Sequence, residues 1–211
     1  MFLKELELLN LIINEGKIID ASFIEVPKQR NSRAENAEIK SGNTPESFEE
    51  NSNKKSQKDL DARWTKKNNV SYYGYKNHVK VDAKSKLIVK YEVTDASVHD
   101  SQVLENLLDE KDADEDFSGD SAYSGENQRS IISLKEMNDK TCKKGYRNNP
   151  LTEQEIATNR EKSRIEHVFG FMEGSMNGMN LHAIGIKRVE GLVGLMNLTY
   201  NMFRKIQIQT I

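Results

Sequence analysis

Apolar and polar positions along the chain repeat with changing period, and each change marks a boundary between elements. The opening stretch Met1–Gly16, MFLKELELLNLIINEG, reads as an amphipathic helix with acids inside it, closed by Gly16. Lys17 to Val26 is rich in β-branched residues and stops at Pro27, which predicts a strand. Between Gln29 and Leu60 the large apolar residues are Ile39, Phe48 and Leu60 alone, and this composition predicts a solvated, disordered loop over 29–60.

Alternation returns at Tyr73, Tyr75, Val79 and Val81, and a second run from Lys86 to Val93 follows a polar turn. Together they predict an antiparallel hairpin over 72–94. Val98–Gln102 opens a helix carrying Val103, Leu104, Leu107 and Leu108 on one side, and an acidic loop covers 109–116. Phe117–Tyr123 is a poor strand by propensity, with Phe117 its one strong former. A helix is expected from Ser124 to Met137 with Ser124 as N-cap, and a short strand at Lys140–Tyr146. Thr152 and Glu155 have capping-box spacing and start a helix that runs through Phe169. Gly170–Gly185 should be irregular, and Val189–Ile206 a final helix with a broad apolar side. Strands, helices and hairpin in this order predict a mixed α/β sheet flanked by helices.

Hydrophobic residues make up 36% of the 211 positions and charged residues 30%, so the core has to be economical. No apolar run approaches the ~20 residues of a membrane span, so no membrane partner is expected. The single Cys142 agrees with a reducing, cytoplasmic setting. Net charge is −2, yet Asp61–Lys90 holds eight Lys or Arg against two acids, and Glu92–Glu126 holds twelve acids against Lys111. Such segregation suits either a protein that grips phosphates on one surface and binds cations on another, or two solvated faces of opposite sign.

Three acids stand in costly or exposed settings. Asp20 interrupts a run of strand formers, Asp120 lies at what would be a strand end, and Glu166 sits within Ile165–Phe169, an otherwise apolar helical stretch. Carboxylates gathered from two strands and a helix repel unless a divalent cation neutralises them, and a small set of hard oxygens suits Mg²⁺ or Mn²⁺. The competing reading from the residues alone makes Asp20 a turn residue, Asp120 a loop cap and Glu166 an exposed helix residue.

The words around these acids add a family likeness. Ile19–Ser22, Asp61–Thr65, Tyr73–His78, Val98–Ser101, Gly119–Tyr123, Ile165–Met172 and Gly194–Asn201 occur in one order, from about Lys17 to Arg204. The ordered set resembles the insertion-sequence-five family of bacterial DDE transposases. That resemblance implies a ribonuclease H-like catalytic domain over 17–211, with 1–16 a remnant of an upstream region and the copy truncated at its N-terminus. It implies that Asp20, Asp120 and Glu166 bind two Mg²⁺ (or Mn²⁺) ions and cut and rejoin double-stranded DNA, as a homo-oligomer on that DNA. Arg63, Trp64, Lys66, Lys67, Lys76, Arg160, Lys162 and Arg164 are the expected DNA contacts; Trp64 either stacks on a base or anchors the core. His99 and Asp100 read as a helix start beside the site, and His167 as a phosphate contact, a ligand-orienting group or a buried histidine. Two departures from the family pattern touch Glu166: the Arg-rich stretch before it is short, and Glu173 stands where a basic residue is expected. A missing turn moves Glu166 along its helix by ~5 Å. The alternative function is an inactive remnant that binds DNA or partner subunits without catalysis.

Overall fold

The computed structural model describes residues 2–210, so Met1 at the head of the first helical stretch and Ile211 after the last lie outside it. The strands are β1 (Gly16–Glu25), β2 (Arg63–Lys67), β3 (Val70–Asp82), β4 (Ile88–Asp95), β5 (Asp116–Ser118) and β6 (Asn138–Asp139). The helices are α1 (Phe2–Leu8), α2 (Arg33–Lys40), α3 (Glu46–Glu49), α4 (Ser52–Ser56), α5 (Leu104–Leu107), α6 (Glu126–Leu134), α7 (Glu153–Lys162), α8 (Arg164–Gly174) and α9 (Ile186–Gln209).

One sheet organises the chain. β3 is its long member and pairs antiparallel with β1, β2 and β4, while β5 and β6 continue the sheet parallel to β1. The period-2 pattern of β1 sends Ile18 and Ile24 into a core with Val168, Met172, Val193 and Tyr200 of α8 and α9. Ile19 points the other way, into a second core with Leu104, Leu107, Phe117, Tyr123 and Ile132. Four antiparallel strands leading into two parallel ones, with helices on both faces, make a ribonuclease H-like fold.

The recurrent motifs have structural tasks here. Gly74 adopts φ +147°, and a Cβ at that position would sit 2.2 Å from the Ile24 carbonyl oxygen, so the β3 backbone can press against β1 only without a side chain. In the closing motif Asn197 hydrogen-bonds Asn77 at 2.9 Å, and Asn201 both accepts from the Ile88 N–H and donates to the Ile88 carbonyl. These buried amides clamp α9 onto β3 and β4 (Asn197 and Asn201 are 3% and 4% exposed).

Several expectations need correction. The 29–60 stretch is not a disordered loop: it carries α2 with a Ser32–Glu35 capping box, α3 and α4. Its few apolar residues suffice because Phe48 and Ile39 are buried, and because buried Asp59 ties the segment down. Asp59 accepts from the Tyr75 hydroxyl at 2.7 Å, from the N–H groups of Asp61 and Ala62, and from Gly185 N–H at the head of α9. α1 stops at Leu8 rather than Gly16. Asn10 takes φ 52°, and the Leu11 and Asn10 N–H groups close back onto Leu6 and Glu7, a helix-ending motif built on Asn. α6 has Gly125, not Ser124, at its N-cap. The strand after α6 lies at Asn138–Asp139 instead of Lys140–Tyr146, and α8 runs on to Gly174. None of the described helices is long and apolar enough to cross a membrane.

The two charge blocks are also reinterpreted. Lys76 pairs with Asp100, Lys80 with Asp109 and Asp112, and Lys90 with Asp109, while Lys17 pairs with Glu115. The segment after β4 folds back beside β3 and β4, so these lysines and these acids are one another's counter-ions and not two open surfaces.

Candidate active site on neighbouring parallel strands

The register of β1 against β5 has a constant offset of 100: Gly16 faces Asp116, Lys17 faces Phe117 and Ile18 faces Ser118. Continued two residues past the ladder, the offset would bring Asp120 level with Asp20, and both carboxylates act on the Lys162 ammonium. The β5 ladder ends before Asp120 because that side chain turns to a local task. Its Oδ1 accepts from Ala122 N–H at 2.7 Å and caps a short 3-10 turn, Ser121–Tyr123. Gly119 is required by crowding: a Cβ there would meet Tyr123 at 2.7 Å and Phe117 at 2.9 Å, where the two rings pack edge to face. Beyond β6, Cys142 N–H donates to the Gly119 carbonyl at 2.8 Å, which brings the thiol beside the acid pair. Burial pushes the Cys142 thiol up, with Asp120 and Asp20 adding to the rise against the pull of Lys162.

Opposite the strands stands α7, started by the expected Thr152–Glu155 capping box. Its last residue, Lys162, places Nζ 2.7 Å from Asp20 Oδ2, with both side chains largely buried (16% and 14% exposed). Asp20 Oδ1 accepts from Ala21 N–H at 2.8 Å. Burial alone would lower the Lys162 ammonium; the Asp20 carboxylate, helped by Asp120, more than offsets it and raises the pKa. Tyr123 is held well above its ordinary value by burial, with Asp100, Asp20 and Asp120 adding to the effect. This pairing was not legible in the sequence, where Lys162 read as a DNA contact.

At Ser163 the helix axis breaks, and α8 begins at Arg164. α8 buries Ile165, Val168 and Met172, which leaves Glu166 and His167 on the exposed side. Glu166 follows Lys162 by four residues but lies beyond the break at Ser163, and it faces solvent rather than Asp20. Its side chain makes no hydrogen bond among the described residues. Among those residues no group of three or more His, Cys, Asp or Glu is close enough to hold a metal ion. The three acids expected to converge therefore form no such group among the described residues, and Glu166 faces solvent. Hard oxygen donors of the right kind are present, but the position a cation would take at Asp20 is filled by the Lys162 ammonium. As arranged here, the set does not fit a divalent ion.

The expected DNA contacts divide into two groups. Trp64, Lys66, Lys67 and Arg160 are exposed; Trp64 is no core anchor but leans on Tyr73 with ring centroids 5.0 Å apart, and Lys28 lies over it. The other four are engaged inside the chain. Lys76 is buried and bonds the Val98 carbonyl and Asp100. Arg63 clasps the carbonyls of Leu60, Ala62 and Ile39. Lys162 holds Asp20, and Arg164 reaches the Ala83 carbonyl at 3.0 Å. His99 caps the 3-10 turn Asp100–Val103, so that motif is a helix start. His167 is exposed, not buried.

The chain is similar to known proteins over most of its length. Residues 14–202 match the family model described as the transposase DDE domain. The transposase for insertion sequence element IS1106 of Neisseria meningitidis serogroup B is 26% identical over 195 residues, 89% of this chain. The chain spans 64% of that relative's length. No solved structure matches it significantly. With a matching family model over most of its length, laid on a ribonuclease H-like sheet, the chain belongs to the transposase DDE domain family.

Proposed function

We propose that the chain is the catalytic core of an insertion-sequence transposase of the insertion-sequence-five type, which cleaves DNA at the element's ends and joins it to a target. Asp20, Asp120 and Glu166 are the carboxylates of this reading, with two Mg²⁺ or Mn²⁺ ions as cofactors and double-stranded DNA as substrate, acted on by a homo-oligomer. The observation that carries it is that Asp20 on β1 and Asp120, just past the parallel neighbour β5, both act on the Lys162 ammonium, in a member of this family. Divalent cations, once bound, supply the positive charge that in-line displacement at phosphorus needs. The chain's own part is to aim the carboxylates from a rigid sheet, to bring Glu166 in from α8, and to meet the DNA backbone with Lys66, Lys67 and Arg160. The test is nicking of a duplex that carries the element's ends in Mg²⁺ or Mn²⁺. Cleavage should be lost in Asp20→Asn, Asp120→Asn and Glu166→Gln; cleavage that survives all three substitutions overturns the assignment.

A second reading rests on the exposure of Glu166. If that side chain never turns inward, the chain binds DNA without cutting it, in a salt-dependent manner that Asp20→Ala and Asp120→Ala leave unchanged.

A further inference from the structure

We propose that Lys162 is a built-in counter-ion of the carboxylate pair, and that its ammonium must leave Asp20 before a divalent cation can bind there. The inference rests on the assignment of Asp20 and Asp120 above and concerns what controls the loading of that site.

Geometry is the first support. The Lys162 ammonium lies 2.7 Å from Asp20 Oδ2, and the other oxygen of Asp20 is taken by Ala21 N–H. Each oxygen thus has one partner, and a hard cation that binds at 2.0–2.1 Å from a carboxylate oxygen has to share Asp20 with the ammonium or displace it. It would also stand within a few ångströms of a like charge, which Coulomb repulsion in a partly buried pocket disfavours.

Electrostatics is the second. Two carboxylates on adjacent strands repel, and the closing helix supplies one positive charge at the place where they meet. The metal-free pair is therefore already stabilised, and a metal has to compete with that state rather than fill an empty one.

The third support is that Lys162 has somewhere to go. It is the last residue of α7, where the helix dipole favours a cation, and its side chain keeps a route to solvent (16% exposed).

The test uses Mn²⁺ alone as probe, with binding to the full chain followed by electron paramagnetic resonance of the free ion, and no DNA cleavage in the readout. Lys162→Met should bind Mn²⁺ at least tenfold more tightly than the unaltered chain, and Asp20→Asn should lose at least tenfold. An affinity in Lys162→Met that is unchanged or weaker, with Asp20→Asn still losing binding, overturns the counter-ion role and leaves the acid assignment standing. Binding unchanged in both Asp20→Asn and Asp120→Asn overturns that assignment and the inference with it. A measurement on the unaltered sequence guards against misfolding of the variant. With lysines labelled at Cε, one resonance should shift on saturation with Mg²⁺ and be absent from Lys162→Gln; no shift at saturating Mg²⁺ refutes displacement.

Discussion

Lys80 offers a direct measure of how the sheet holds the segment that leads to Asp120. Its ammonium is 2.7 Å from Asp112 Oδ2 and 2.7 Å from Asp109 Oδ2, with the lysine 3% exposed and Asp112 4% exposed. Asp112 Oδ2 also accepts from Asp109 N–H. Replacing Lys80 with Met leaves the Asp112 carboxylate buried without its cation, and breaking a buried pair from one side costs about 3–5 kcal/mol. Asp109 is half-exposed and keeps Lys90 at 2.5 Å, so it contributes little of that loss. With a urea dependence of about 2 kcal/mol per molar, the unfolding midpoint should fall by about 2 M at an unchanged slope. Adding Asp112→Asn to Lys80→Met removes the stranded charge and should restore most of the stability. The exposed pair Lys84–Glu15 serves as comparison, where Lys84→Met should cost about 0–1 kcal/mol. A loss in Lys80→Met no larger than that, or no recovery in the double variant, refutes the account of a buried counter-ion.

Three further outcomes follow from the packing. Gly119→Ala should destabilise by about 1–3 kcal/mol in thermal unfolding, because its Cβ meets the Phe117 and Tyr123 rings, and it should weaken metal binding by displacing Asp120. Asn197→Ala leaves the Asn77 amide buried without its partner and should cost about 1–3 kcal/mol; a cost within error of zero refutes the clamp. His78 is fully buried, and its pKa is lowered from 6.5 to about 4, chiefly by burial, with Asp100 opposing and Lys76 adding to the fall. Its Nε2 faces the Thr94 hydroxyl, which itself donates to the Asp95 carbonyl, so the ring is neutral with its proton on Nε2. The sign is that of a group which binds its proton more readily when unfolded: it costs nothing above pH 6.5, and stability is lost as pH falls from 6.5 towards 4, by about 3 kcal/mol in all. His78→Gln should flatten that part of the stability–pH curve, and an unchanged slope between pH 6.5 and 4 counts against the burial of a neutral ring.

What the sequence reveals about this molecule follows from how local each signal is. The strand holding Asp20, the hairpin and the Thr152–Glu155 cap are written in short-range periodicity or spacing, and the structure reproduces them. The weak strand before Asp120 is readable only as part of a sheet: β5 has three residues, and it exists because β1 and β6 flank it. The helices of 29–60 are hidden because Phe48 and Asp59 act through distant partners, Asp59 through Tyr75 and Gly185. The same holds at the candidate site. Asp20 and Asp120 stand out by their settings, whereas the ion pair of Lys162 with Asp20 joins residues 142 positions apart, and no local pattern announces it.

The constant offset between β1 and β5 makes the acid pair sensitive to length in one place and tolerant in another. Nearly a hundred residues lie between Asp20 and Asp120, yet the helical segment 29–60 lies outside the β1–β5 ladder, so a change in its length leaves the offset as it is. A single residue inserted into Phe117–Gly119 turns Asp120 to the opposite surface of the sheet, because side chains alternate along a strand. Drift in this molecule should therefore accumulate as altered loop sizes, while the three positions ahead of Asp120 keep their number.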